Sequence, residues 1–158
     1  MKTLILGMGN PILSDDGIGM HVARVLEGVF ADTDVRTCAL IGLDLLDIVT
    51  EYDRVFVIDA VQDRRYSPGT VVKLAVAEET LHLFSSHGLH FFEILQLGKN
   101  VGIAVPEVVG IYGVAIGTEC PFGESLSLQM ACFLDEIVRQ IVEHVSSALN
   151  IRIDSRKI

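Results

Sequence analysis

Asp16, Asp59 and His87 are the side chains whose types and settings are best suited to chemistry. Asp16 lies in LILGMGNPILSDDGIGMHVARVLEG (residues 4–28), after an apolar run and at the head of an amphipathic stretch. Asp59 closes the apolar run RVFVID, and His87 sits in SSHGLH just before another helical pattern. Two carboxylates and one imidazole suit a divalent transition metal of the nickel or zinc kind. The same three groups serve acid–base chemistry without a metal, and the residues alone leave both readings open. Each also has a structural role to compete with. Asp15 is placed as the N-cap of the first helix, and Asp16 can complement that helix's dipole. Asp59 can cap a strand end, although a buried ionised carboxylate is costly unless it is paired or bound. His82 and His90 compete with His87, and His90, one turn further on, is a substitute ligand. His21 and Arg24 are assigned to the solvated face of the first helix.

These groups need elements to hold them. Period-2 and continuous apolar runs predict strands at 3–6, 34–38, 54–59, 71–74 and 108–116, with 101–105 as either a further strand or a loop. A helix is predicted over 17–30, with Ile18, Val22, Val25, Leu26 and Val29 on its apolar face. Shorter helices are expected at 43–49 and 88–97, and a helical turn at 78–83. The last helix, 125–149, carries Met130, Leu134, Ile137, Val138, Ile141 and Val145 at helical spacing, with Asp135 and Arg139 four apart outside. Strands alternating with helices indicate a mostly parallel sheet covered on both faces, with ligands at the carboxyl ends of its strands. If the first and third strands are neighbours, about 4.8 Å apart, Asp16 and Asp59 converge. The expected organisation is one domain over 1–149 and a polar tail over 150–158.

Composition narrows the function. The formal net charge is −9, and a protein that tracks phosphates needs a basic face, so nucleic acid is a poor partner and none is expected. The most apolar region, 101–118, is broken by Pro106, Glu107 and four glycines. Neither a membrane span nor a leader is expected. Cys38, Cys120 and Cys132 form no Cys-x-x-Cys pair and read as reduced thiols, which fits the cytoplasm. Gly7-Met-Gly9 opens like a dinucleotide loop. The third glycine that loop needs is replaced by Ile12, and two acids stand where a phosphate would go. Gly17 and Gly19 are read as thinning the helix start so that a polypeptide can approach the acids. No Gly-x-Ser-x-Gly elbow and no Cys-His arrangement is present, and Cys120, before Pro121, reads as a structural thiol.

The pattern Gly7-x-Gly9-Asn10, four residues, then Asp15-Asp16-Gly17-x-Gly19 resembles the opening motif of the [NiFe]-hydrogenase maturation endopeptidases. Asp59-Ala60, SPGTVV and SSHGLHFFEIL are similar to that family's later motifs, in order and with matching gaps. The resemblance implies a three-layer α/β/α sandwich around a mostly parallel sheet of five to six strands. It implies an endopeptidase that removes a C-terminal extension from a hydrogenase large-subunit precursor once nickel is inserted. Asp16, Asp59 and His87 match the metal-contacting residues, with Asp16 and Asp59 also the catalytic candidates and Asp15 holding the loop. Nickel would come with the substrate, or another divalent ion would occupy the site. The stretch 38–42 departs from the family's Asp-Gly-Gly-Thr-like turn and keeps only Gly42. Two rival readings stand beside this one. The first is a module that senses metal and binds precursor without cutting. The second is a peptidyl-tRNA hydrolase, suggested by ILGMGNP and His21 but lacking a Thr-Arg-His-Asn stretch.

Overall fold

The computed structural model describes residues 1–39, 42–74 and 86–151, with the backbone alone for 86–90. In chain order the elements are β1 (Thr3–Met8), a 3₁₀ turn (Ser14–Gly17), α1 (Ile18–Val25), β2 (Thr33–Cys38) and α2 (Asp44–Val49). Then come β3 (Arg54–Val61), β4 (Val71–Leu74), α3 (Ser86–Asn100), β5 (Glu107–Ala115) and α4 (Leu128–Leu149). The described strands form one sheet in the order β2-β1-β3-β5-β4. All pairings are parallel except β4 with β5.

The central strands are apolar on both sides because both faces are covered. Alternate residues of β3 feed different cores. Phe56, Ile58 and Ala60 join Ile18, Val22 and Leu26 of α1 and Ile137, Ile141 and Val145 of α4. Val55, Val57 and Val61 join Leu45 and Val49 of α2 and Phe91 and Leu95 of α3. The result is the expected three-layer α/β/α sandwich, with five strands among the described residues. By the two-residue period of a strand, Asp59 shares the α2/α3 side with Val57 and Val61.

Several boundaries differ from the sequence reading. Residues 101–105 do not form a strand. Val101 N donates to Leu97 O and Ile103 N to Gly98 O, with Gly102 at φ +81, so the segment terminates α3. Such a left-handed glycine closes a helix by satisfying its last carbonyls. The first helix is also shorter than 17–30: it stops at Val25, and the chain turns through Gly28 at φ +75. Val25 therefore lies exposed, whereas Ile18, Val22, Leu26 and Val29 are buried as expected. The final helix starts at Leu128, with Ser127 as its cap. Its Arg139 pairs with Glu136 and Glu143, not with Asp135. The helical turn expected at 78–83, His82 and most of the tail lie outside the described residues.

Candidate active site

The sheet brings the two acids to one edge. β1 and β3 are neighbours, with Gly7 opposite Ile58, so Asp59, the next residue of β3, stands beside the loop that leaves β1. Asp59 is 1% exposed, and its Oδ1 accepts from the Ala60 amide at 2.8 Å. It lies inside β3, which continues to Val61, and does not close it. Asp16 is 8% exposed and sits in the 3₁₀ turn ahead of α1.

Glycine makes this approach possible. A Cβ on Gly19 would run into the carbonyl oxygens of Met8 and Ile58, and one on Gly7 into Gly19 and Ala23. The first turn of α1 thus rests directly on the backbones of β1 and β3, one residue short of Asp59. The expectation that Gly17 and Gly19 make room for a substrate is corrected here. Both are buried, and Gly19 performs the close helix–strand packing for which a nucleotide loop uses its third glycine. Gly9 at φ +152 is a second such position, since a Cβ there would meet the carbonyl oxygen of Asp16.

The acid loop is tied to the segment between β5 and α4. Ser14 N donates to Gly123 O at 2.7 Å, and Gly123 N donates to Ile12 O at 3.0 Å. Ser14 Oγ donates to Ser125 O at 3.0 Å. Asp15 caps neither the 3₁₀ turn nor α1. Its carboxylate accepts from Ser127 N at 2.7 Å and from Ser127 Oγ at 2.8 Å, and Ser127 Oγ in turn accepts from Met130 N at 3.2 Å. Asp15 therefore holds the capping residue of α4, a helix more than a hundred residues away. His21 belongs to the same seam: its imidazole pairs with the Glu124 backbone. Burial and the neighbouring Arg24 nonetheless lower its pKa below the ordinary value. It is half-buried, not solvated as expected, while Arg24 is exposed.

Two side chains that the sequence reading did not assign to the site stand beside it. The amide of Gln62, just beyond β3, approaches Cys120 Sγ at 3.7 Å. Burial, with Asp16 and Asp15 nearby, pushes the Cys120 thiol up, while the Gln62 amide and the Asp16 backbone partly offset that rise. Cys120 is thus a subdued thiol packed against the acid loop. Gln62 was detectable as a polar residue just past a central strand. At the same edge a cleft of about 350 Å³ is lined by residues 63–68 and 116–118. Within it Asp63 holds Arg65 through paired contacts.

His87 lies in the first turn of α3, the helix that packs on the side of the sheet facing Asp59. Its side chain, like that of His90, is outside the description. Among the described residues no three His, Cys, Asp or Glu side chains form a metal-binding group. What is described at this edge is two buried acids, Asp16 and Asp59.

In an open α/β sheet the crevice where the strand order reverses is where ligands bind, and here two buried acids stand at that point. Comparison with known proteins specifies the class. Residues 20–144 match the family model HycI, hydrogenase maturation protease. The matched span contains Asp59 and His87 and begins just after Asp16. The chain is 29% identical over 121 residues to the hydrogenase 2 maturation protease of Escherichia coli strain K12, covering 72% of this chain and 73% of that one. Its fold is similar to the hydrogenase maturating endopeptidase HybD from E. coli, with TM-score 0.75, 22% identity and 94% of each chain covered. It is also similar to the [NiFe] hydrogenase maturation protease HybD from Thermococcus kodakarensis, with TM-score 0.70 and 24% identity over 92% of this chain and 99% of that one. The chain belongs to the hydrogenase maturation protease family and is a peptide-bond hydrolase, which displaces the peptidyl-tRNA hydrolase reading. No helix among the described residues is long and apolar enough to cross a membrane.

Proposed function

We propose that this protein removes the C-terminal extension of a [NiFe]-hydrogenase large-subunit precursor in the cytoplasm, and that it acts on precursor already carrying nickel. The observation that carries this reading is the pair Asp16 and Asp59, both buried, the first in the turn that follows β1 and the second near the end of the adjacent parallel strand β3. The donor set assigned by this reading adds the imidazole of His87 to the two carboxylates, a set of types that suits the nickel of the substrate or another divalent ion. Such an ion polarises a carbonyl and makes bound water more acidic. The chain's own part is to hold the scissile bond against the two carboxylates. One of them takes a proton from the attacking water as its oxygen bonds to the carbonyl carbon. The carbon–nitrogen bond then breaks, and that proton leaves with the amine. The cleft over residues 63–68 and 116–118 offers a path for the extended segment beside this point.

The test is incubation of the purified protein with nickel-loaded and nickel-free precursor, followed by mass spectrometry. A shortened large subunit from the loaded precursor alone is the expected result. Asp16→Asn, Asp59→Asn and His87→Ala should each abolish shortening while leaving the circular dichroism spectrum unchanged. An intact precursor held in a stable complex would mean that the protein binds without cutting. Full cleavage by all three variants would remove these residues from the site.

A further inference from the structure

Beside the acid loop lies a group of large apolar side chains left in solvent. Ile12 is 50% exposed, Phe122 85% and Leu128 89%. Ile12 is far in sequence from Phe122 and Leu128, but the fold brings its loop against theirs. The parallel bridge Leu13–Gly123 sets Ile12 next to Phe122, and Leu128 follows Ser127, which Asp15 holds by its amide and hydroxyl. The three therefore line the seam that fixes Asp15 and Asp16. Large apolar groups clustered in solvent mark partner surfaces, and aromatic anchors contribute most of the binding energy at such surfaces.

Charge identifies the partner's surface. Residues 3–23 and 100–138, which supply both sides of the seam, contain no lysine or arginine. They do contain Asp15 and Asp16, and Glu119 and Glu124 on the exposed loop beside Phe122. We infer that Ile12, Phe122 and Leu128 form the docking surface for the folded body of the large-subunit precursor. The matching face of the precursor presents apolar knobs ringed by lysine and arginine. This rests on the protease reading above and adds where the substrate is gripped apart from the bond that is cut. Binding the body here places the C-terminal extension across the sheet edge at Asp16 and Asp59. Opposite charge around the rim speeds encounter, and the apolar anchors slow release.

The test compares wild type with Phe122→Ser, Leu128→Gln and the double variant in processing of the purified nickel-loaded precursor. Both side chains project into solvent, so the fold is expected to survive, and thermal melts check this. KM should rise about tenfold for each variant and about a hundredfold for the double, as for anchor residues, with kcat at saturating precursor held. Glu119→Lys with Glu124→Lys should slow association, and added salt should slow association of the wild type. Val101→Ser, an exposed apolar position at the end of α3, should leave KM alone. A KM within twofold of wild type for the double variant, while wild type cuts normally, overturns the docking surface and leaves the protease reading intact. A wild type that neither binds nor cuts precursor overturns both. Self-association of the wild type in sedimentation that the double variant abolishes also overturns the inference, because a second copy would then cover the patch.

Discussion

The bond between Asp15 and Ser127 links the acid loop to the last helix, and its strength can be measured. Asp15→Ala removes two charge-assisted hydrogen bonds at 2.7 and 2.8 Å. Each is part-buried, and bonds of this kind are worth about 1.5–3 kcal/mol at most. Allowing for water that replaces part of the loss, the expected cost is about 2–3 kcal/mol. Ser127→Ala keeps the backbone donor but loses the hydroxyl bond and the cap on Met130 N, at about 1–2 kcal/mol. Because one bond is shared, the double variant should cost less than the sum of the two by about 1 kcal/mol. For a chain of this size each kcal/mol lowers the melting temperature by about 2–4 °C, so Asp15→Ala should melt about 4–12 °C lower. The assay is urea and thermal denaturation of the four proteins followed by circular dichroism. Activity should fall with it, because Asp16 adjoins Asp15 and a shift of about 1 Å in a reacting group can cost about a hundredfold. Strict additivity of the two substitutions, or an Asp15→Ala protein that melts like wild type, would falsify the claim that this pair fixes the loop.

Other outcomes follow from packing and charge. Gly19→Ala places a methyl against the Met8 and Ile58 carbonyls and should destabilise by about 1–3 kcal/mol or more, read as a lowered urea midpoint. The Tyr112 hydroxyl is buried and has no hydrogen-bond partner among the described residues. Tyr112→Phe should therefore raise stability by about 1 kcal/mol, and a lower melting temperature would refute that. Arg139 and Gln140 hold the Glu136 carboxyl down, from 4.5 to about 2. Its contribution is present above the ordinary carboxylate range and is lost as pH falls toward the lower value, so Glu136→Gln should flatten the acid limb of the melting-temperature profile. Iodoacetamide at neutral pH should label exposed Cys132 ahead of Cys120, whose thiol burial pushes up, as read by peptide mass mapping.

The sheet and its acids were legible because they depend on local pattern. Continuous apolar runs marked β1, β3 and β5, helical spacing marked α1 and α4, and an acid in an apolar strand marked Asp59. What could not be read depends on contacts distant in sequence. Asp15 looked like a cap for its own helix, because a local acceptor before a helix usually is one. Its partner is instead Ser127, brought near by the β5–α4 connection. Residues 101–105 have the composition of a strand, but Gly102 and the free carbonyls at the end of α3 compete for that backbone and win. Gly19 was legible as a special position and not in its purpose, because nothing in the sequence shows that the Ile58 carbonyl lies above it. The Gln62–Cys120 contact has the same character, since it joins the ends of two strands through a loop whose path the sequence leaves open.

The sheet order also explains why these two acids meet and others do not. From β1 the chain moves outward through α1 to β2, then returns through α2 to β3 on the other side of β1. Right-handed crossovers in opposite directions put α1 and α2 on opposite faces, which opens a crevice above the carboxyl ends of β1 and β3. Asp16 leaves the first of these strands and Asp59 stands on the second. In dinucleotide-binding sheets this crevice receives a pyrophosphate at a helix N-terminus, drawn by free amides. Here α1 packs on the strands through Gly19 just as the helix does there, but two carboxylates stand by the opening, so an anion meets repulsion where the nucleotide fold offers attraction. The function proposed above turns the same topology toward cations and neutral peptide. ATP or NAD at millimolar concentration should neither raise the melting temperature nor slow processing, whereas nickel-loaded precursor should protect the acid loop from hydrogen exchange.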